Sequence, residues 1–368
     1  MARRTLIERT NQKIPILMHK KQQRHKAARS PLRVGFVPLN DCAPLAVANE
    51  LNLFEKHGIE VELCREVGWA TVRDKIIYSE LDAAHAPAGM VVAATAGLGS
   101  IPVDCLTGLI INLHGNAITL SEPLWKRGVR DGKSLRHEIV ERGGRKLVFG
   151  AVFPFSSHNF LLRSWLRENG INPDHDVQIV IVPPPQMFPN LKAGNLDGYC
   201  VGEPWNSLAV IAQAGFVAAT SSELANQHPE KVLMVRRDFA EAHEPEHMAM
   251  IAALAEACRF CDAPGNRERI IELLAGPRYL NAPIQALRMS MKGTFDFGHG
   301  RVEEAPDFHI FSSDDANEPT PEKAAWVIRS LQEMRVAGDT GILDSLDPAS
   351  MFRADIFHQA IQSTLTTP

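Results

Sequence analysis

The chain has 368 residues, 45% of them apolar and 22% charged, the proportions of an ordinary globular protein with core enough for two domains or one large one. No run approaches the ~18 consecutive apolar residues of a membrane-spanning helix, so no membrane role is expected. The net charge of −4 is uneven: residues 1–33 hold ten Lys and Arg against Glu8 alone, a net of +9, which leaves −13 for the rest.

Residues 1–31 read as a basic, disordered and solvated arm, a contact with nucleic acid or an acidic partner being the lesser reading. Its longest apolar patch, Ile14–Met18, contains Pro15 and is followed at once by Lys20-Lys21, which is too short for an export signal. Six cysteines (Cys42, Cys64, Cys105, Cys200, Cys258 and Cys261) are scattered in mostly apolar settings, as buried reduced thiols are. A cytoplasmic location is therefore expected.

Ordered structure is expected from Leu32, where LRVGFVPL reads as a strand running into the polar turn Asn40-Asp41. Ala43–Leu51 has helical apolar spacing, Gly58 closes a further turn, and Ile59–Leu63 reads as the next strand. Ala70–Tyr78 is helical, Leu81–His85 leads into the apolar segment Ala88–Ala96, and Ile101–Ile111 and Asn116–Leu120 alternate as strands do. A second unit is expected from about Ser121, with strands over 146–149 and 177–182 around the helix 157–169. In Val182–Asn206 three prolines end the strand, 186–196 is helical, and a strand over 198–201 delivers Gly202-Glu203-Pro204-Trp205. Helices are expected over 248–261, 267–275 and 322–337.

Alternating strands and helices predict an α/β fold with helices on both faces of its sheets. The division expected is 32–120 with 221–368 as one lobe and 121–220 as the other, the chain crossing near 121 and 220.

Two motifs match metal chemistry only formally. His243-Glu244-Pro245-Glu246-His247 fits H-E-x-x-H, but Pro245 would break the helix that must hold both histidines on one face, so a helix starting at the proline is expected instead. Cys258-x-x-Cys261 lies in an apolar-periodic helix with no second ligand pair. No metal or cofactor is expected. There is no phosphate-binding glycine loop and no nucleophile elbow.

What remains is a set of polar groups at strand ends: Trp69, Asn116, His158, Gly202 and Lys231, with Thr71, Gln186, Glu203 and Trp205 around them. Sites for small molecules in α/β proteins lie at strand ends. Each of the five alone has an ordinary structural explanation, and their joint placement is the stronger argument.

The stretches FEKHGIEVEL, GWATVRD, PFSSHNFLLRSWL, VPPPQM, GNLDGYCVGEPWN, NQHPEKVL and DFGHGRV are similar to those of the nitrate- and bicarbonate-binding proteins of ABC importers, across residues 31–360. That resemblance implies a two-lobed periplasmic-binding-protein type II fold. It also implies that nitrate is held by positions matching Trp69, Asn116, His158, Gly202 and Lys231. The importer proteins carry glutamine where this chain has Asn116, an amide one bond shorter, so nitrate/nitrite preference is expected to differ. Nitrate is a planar, singly charged weak base, and a ring of donors with no acceptor suits it. Lys231 is expected to supply the charge, so that its removal abolishes binding and leaves the fold intact.

With no export signal expected, the chain resembles the cytoplasmic nitrate/nitrite sensors (NasS type) of bacterial nitrate assimilation. These are implied to hold an ANTAR-type RNA-binding antiterminator (NasT-like) when ligand-free and to release it on binding the anion. No direct nucleic-acid contact is expected of the body. The alternatives are the binding component of a nitrate or bicarbonate importer and, more remotely, an enzyme like the thiamine-pyrimidine synthases. That last group carries a cysteine-rich motif, and this chain has no Cys-Cys run.

Overall fold

The computed structural model describes residues 30–334 and 341–365. The basic arm expected over 1–31 lies outside them except for Ser30 and Pro31. From Pro31 onward the chain forms one contact unit that carries two main sheets.

Among the described residues thirteen strands form in chain order. They are β1 (Leu32–Phe36), β2 (Val61–Arg65), β3 (Ala83–Pro87), β4 (Cys105–His114), β5 (Asn116–Ser121), β6 (Leu147–Ala151) and β7 (Val177–Ile181), followed by β8 (Gly198–Gly202), β9 (Gly215–Thr220), β10 (Pro229–Arg236), β11 (Thr294–Gly298), β12 (Arg301–Glu304) and β13 (His309–Ile310). The first sheet runs β13-β4-β10-β3-β1-β2 and the second β7-β6-β8-β5-β9, with β11 and β12 as a separate hairpin. Within each sheet the strands joined through helices are parallel: β1 with β2 and β3, and β6 with β7 and β8. One antiparallel strand then enters the interior of each sheet, β10 in the first and β5 in the second.

The elements follow from local sequence. All ten residues of β4 are buried, as a strand covered on both faces requires. The helix Ala88–Ala96 is apolar all round and wholly enclosed except at Thr95, ending on Gly97 in the left-handed region (φ 70°). The helix Ser157–Glu168 starts on Ser156, whose hydroxyl accepts the Asn159 amide N–H. Helix 186–196 of the expectation forms as Pro184–Lys192, with Pro184 and Pro185 in its first turn and Pro189 inside it.

The strand Asn116–Ser121 pairs with β8 and β9, so the chain leaves the first sheet at Gly115, ahead of the crossing expected near 121. Gly115 takes φ 98°, in a bend that packs against the His309 ring. The return crossing runs from the end of β9 at Thr220 to Pro229. The hairpin of β11 and β12, placed with the first lobe by sequence order, packs Phe295 and Phe297 with Ala117 and Val217 of the second sheet.

The lobes meet over a shared apolar core. Val37, Leu39, Trp69 and the Ala88–Ala96 helix pack in one cluster with Phe153, Phe155, Phe160, Met187, Tyr199 and Val201 from the other side. The Asn40 amide N–H donates across the seam to the Glu203 carbonyl at 2.8 Å. At Gly89 a Cβ would stand 2.1 Å from the Phe155 carbonyl oxygen and 3.1 Å from the Phe160 ring. Backbone cannot yield there as a flexible side chain would. Gly89→Ala is therefore expected to wedge the lobes apart and to weaken ligand binding at least about tenfold, or 1.4 kcal/mol, in titration calorimetry. Unchanged affinity would show that the seam does not need this contact.

Candidate functional site

Each expected site residue is positioned by the end of a strand. Trp69 begins the helix Trp69–Ile77 after β2, His158 is the second residue of the helix after β6, and Gly202 ends β8. Asn116 opens β5 and Lys231 lies near the start of β10, the two strands that follow the crossings. Trp69, Asn116, His158 and Lys231 are all buried, at 0–1% exposure. Asn116 is the register partner of Gly202, and a Cβ on Gly202 would meet the Asn116 amide oxygen at 3.4 Å and Leu39 at 3.5 Å. Those are ordinary van der Waals distances, so Gly202 lies in contact with both lobes without its lack of a side chain being needed for the approach.

Lys231 is the centre of charge. Its ammonium forms ion pairs with Asp41 Oδ2 at 2.7 Å and with Glu230 Oε1 at 2.6 Å, donating a hydrogen bond to the latter, and stands 5.4 Å from the centre of the Trp69 ring. Asp41 Oδ1 is also 2.9 Å from His85 Nε2, and the His85 and Trp69 rings are 5.6 Å apart. Glu230 accepts from Asn116 Nδ2 at 2.6 Å and from Ser157 Oγ, and it faces His228 Nε2 at 3.3 Å and His158 Nδ1 at 3.7 Å. Sequence order thus brings four of the five expected residues onto one cluster, with Gly202 against it.

The cluster differs from a ring of donors in one respect: it contains two carboxylates, Asp41 and Glu230. Burial, the largest single influence, would raise both, yet the Lys231 charge together with the neighbouring histidines outweighs it and holds each well below the usual carboxylate range. Lys231 is raised, burial being overcome by the two carboxylates. Burial lowers His158 to about 4, against the pull of Glu230, and lowers His85 likewise. At neutral pH one ammonium therefore faces two carboxylates, with the His85 and His158 imidazoles neutral beside them.

Several groups at the site keep unspent donor capacity, the His85 nitrogens and the Trp205 indole N–H among them. The Trp69 indole N–H and both His158 nitrogens are buried with no hydrogen-bond partner among the described residues. A buried donor left this way costs about 1–3 kcal/mol, so a site that retains it has a use for it.

The surrounding residues divide. Glu203 is fully buried, accepts the Ser207 amide at 3.2 Å, and has its carboxyl pushed up to about 7 by burial. Trp205 is half-buried and its carbonyl accepts the Tyr199 hydroxyl at 2.9 Å. Gln186 is not at the cluster: it is exposed, in a surface cleft lined by Pro38, Arg65, Val67, Pro183 and Pro185. Thr71 is half-buried two residues beyond Trp69, and a two-residue step on a helix turns it to the other side.

Asp41, His85, Ser157, His228 and Glu230 were not expected in the site. Asp41 could have been found by the strand-end rule, since it follows β1. Glu230 was hidden by strand alternation, which sends neighbours to opposite faces. In β10 the register slips between Pro229 and Lys231, two residues of advance against the single step from Leu113 to Asn112, and this irregularity lets Glu230 and Lys231 serve one cluster.

The formal metal motifs resolve as structure. The helix Glu244–Asp262 begins just before Pro245 with His243 as its cap residue, so His243 and His247 do not share a helical face. Cys258 and Cys261 are buried in that helix. Among the described residues no group of three or more His, Cys, Asp or Glu is arranged to hold a metal, and no helix is long and apolar enough to cross a membrane.

Comparison with known proteins bears on the family and the fold. Residues 25–275 match the NMT1-like family. The nitrate import ATP-binding protein NrtC of Synechocystis is 40% identical over 303 residues, covering 82% of this chain and 45% of that protein, so the chain spans less than half of that relative. The nitrate/nitrite binding protein NrtA of Nostoc is 33% identical, over 82% of this chain and 70% of that one. The crystal structure of the periplasmic nitrate-binding protein NrtA from Synechocystis superposes with a TM-score of 0.86 at 26% identity, covering 93% of this chain and 90% of the other. The fold is that of the periplasmic binding proteins. By the matched span and by its likeness to whole binding proteins, the chain belongs to the NMT1-like family, in its nitrate- and bicarbonate-binding group.

Proposed function

We propose that this chain is a two-lobed receptor for nitrate or nitrite that works in the cytoplasm as a sensor and passes the state of its lobes to an ANTAR-type antiterminator. The observation that carries anion recognition is the convergence of Lys231, Asn116, His158 and Trp69 into one buried cluster at the seam of the lobes, with the Trp69 and His158 donors still unpaired. A small anion contacting both lobes favours their closed arrangement, and a partner that prefers the other arrangement is then released. Linkage makes that antagonism reciprocal.

Two facts support a reporting role over delivery. Relatives such as NrtC carry the matched region in chains more than twice its length, named for nitrate import and ATP binding, which fits a domain whose ligand state is passed to another module. The six cysteines are unpaired with one another and five are buried, as a reducing compartment leaves them.

A second reading has its own observation. Bicarbonate brings an O–H that a carboxylate can accept, and Asp41 and Glu230 offer acceptors where nitrate and nitrite have only lone pairs to present. Bicarbonate transport proteins are among the relatives, at 41% identity in one case. Titration calorimetry with nitrate, nitrite and bicarbonate separates the two, and the sensor reading expects heat with nitrate or nitrite. Size-exclusion of the protein with its antiterminator should then give co-elution without the anion and separation with it. Co-elution indifferent to the anion would remove the sensor reading while leaving the receptor.

A further inference from the structure

The cluster around Lys231 already holds an anion, and it is the chain's own. We propose that the Glu230 carboxylate is a tethered pseudo-ligand, bound by the donors that recognise the external anion and competing with it. A carboxylate is planar, delocalised and singly negative, with two terminal oxygens on one centre, as nitrite has and as one edge of nitrate has. Glu230 takes the Asn116 amide at 2.6 Å, the Lys231 ammonium at 2.6 Å and the Ser157 hydroxyl, and stands 3.7 Å from His158. Three of these four groups are ones expected to hold the ligand. The inference rests on the oxyanion reading of the site and adds what sets its affinity.

The geometry also places the competitor across the seam. Glu230 is carried by β10 of the first sheet, whereas Asn116 opens β5 of the second and Ser157 and His158 begin the helix after β6. The internal carboxylate thus makes the same inter-lobe bridge that a bound anion would make. Lys231 need not be left unpaired when Glu230 turns away, because Asp41 remains 2.7 Å from it. Asp41 comes from the same lobe as Lys231 and makes no bridge, so it neutralises the lysine without mimicking the ligand.

A pseudo-ligand sets a threshold. If Glu230 occupies the donors in nine molecules of ten, the apparent Kd for an external anion rises about tenfold. Because the group is tethered, its local concentration is on the order of millimolar or above, so the receptor answers to abundant anion and ignores traces.

The test is titration calorimetry on Glu230→Gln and Glu230→Ala beside the unaltered protein, each checked for native circular dichroism. Both variants should bind nitrate or nitrite at least about tenfold more tightly. Formate, a free carboxylate, should bind Glu230→Ala and be displaced by nitrate, while leaving the unaltered protein silent. Equal or weaker nitrate affinity in both variants would overturn the competition, as would formate and nitrate binding together. If none of the three proteins binds nitrate or nitrite but Glu230→Ala takes formate, the pseudo-ligand stands and the nitrate reading falls. If no anion binds any of them, both fall.

Discussion

Lys231→Met should lose about 3–5 kcal/mol of folding stability at pH 8 and give no heat with nitrate. The sequence led us to expect a lysine whose removal spares the fold. The structure assigns it a second duty, because its ammonium is the shared partner of two carboxylates at 0–1% exposure. Removing it leaves like charges facing each other away from water, the situation in which breaking a buried pair is most costly. One carboxylate then has to take up a proton. Stability of the variant should therefore recover as pH falls from 8 toward 6, where that proton is more available. Urea denaturation at both pH values checks this, and a variant as stable as the parent at pH 8 would contradict the pairing. The loss of binding and the loss of stability are separable, since binding is measured on the folded fraction.

The second large effect is on the acid side. Burial lowers His114, His158 and His247 to about 4 and His309 to about 3. His114 shows why one of them cannot accept a proton in place: its Nδ1–H donates to the Asp307 carbonyl at 2.8 Å while Nε2 accepts the Gln227 amide at 2.7 Å. In the unfolded chain each histidine protonates near its ordinary value of 6.5. Stability from these groups is therefore complete above 6.5 and is lost as pH falls below it, by about 1.4 kcal/mol per pH unit for each. Glu203 runs the other way: raised to about 7, it stays protonated in the folded protein where the unfolded chain has lost its proton, down to the ordinary value of 4.5. It offsets one histidine, leaving a slope on the order of 4 kcal/mol per pH unit. Asp41 and Glu230, both lowered, add to the loss only once pH reaches the ordinary carboxylate range.

Against a domain stability of about 5–15 kcal/mol, that slope predicts cooperative unfolding around pH 5. Thermal melts between pH 7.5 and 4.5 test it, and a flat profile from 7 to 5 would be incompatible with four neutral buried imidazoles.

The sequence carried the fold well where periodicity and caps are local. The helix expected over 267–275 forms over that span, and β6, β7 and β8 lie within two residues of expectation. It carried less where tertiary context decides. The hairpin of β11 and β12 has charged, exposed residues in its second strand and gains its burial only through Phe295 and Phe297 against the second sheet. Asn116 was read as a strand residue of the first lobe because nothing local tells on which side of Gly115 the chain changes sheets.

At the site the strand-end principle and family likeness found the donors. They missed the acceptors, because the position of Glu230 depends on a slipped register that only the pairing of β10 with β4 creates. Gln186 erred for a related reason: helix membership was legible, but which face of that helix meets the other lobe was not.

The two crossings have one more consequence. Leu113 at the end of β4 is the register partner of Pro229 at the start of β10, and Ala117 near the start of β5 is the partner of Thr220 at the end of β9. The second lobe is thus an insertion in the turn of a β4–β10 hairpin, and its own entry and exit lie side by side. Excising 116–227 and closing the gap with a tight turn would leave every strand of the first sheet with its neighbours. The excised piece would likewise keep all five of its strands. Asn116 and Lys231 sit at that splice, and Trp69, His158 and Gly202 reach them from other strand ends of the two sheets, so the site joins the inserted lobe to its host.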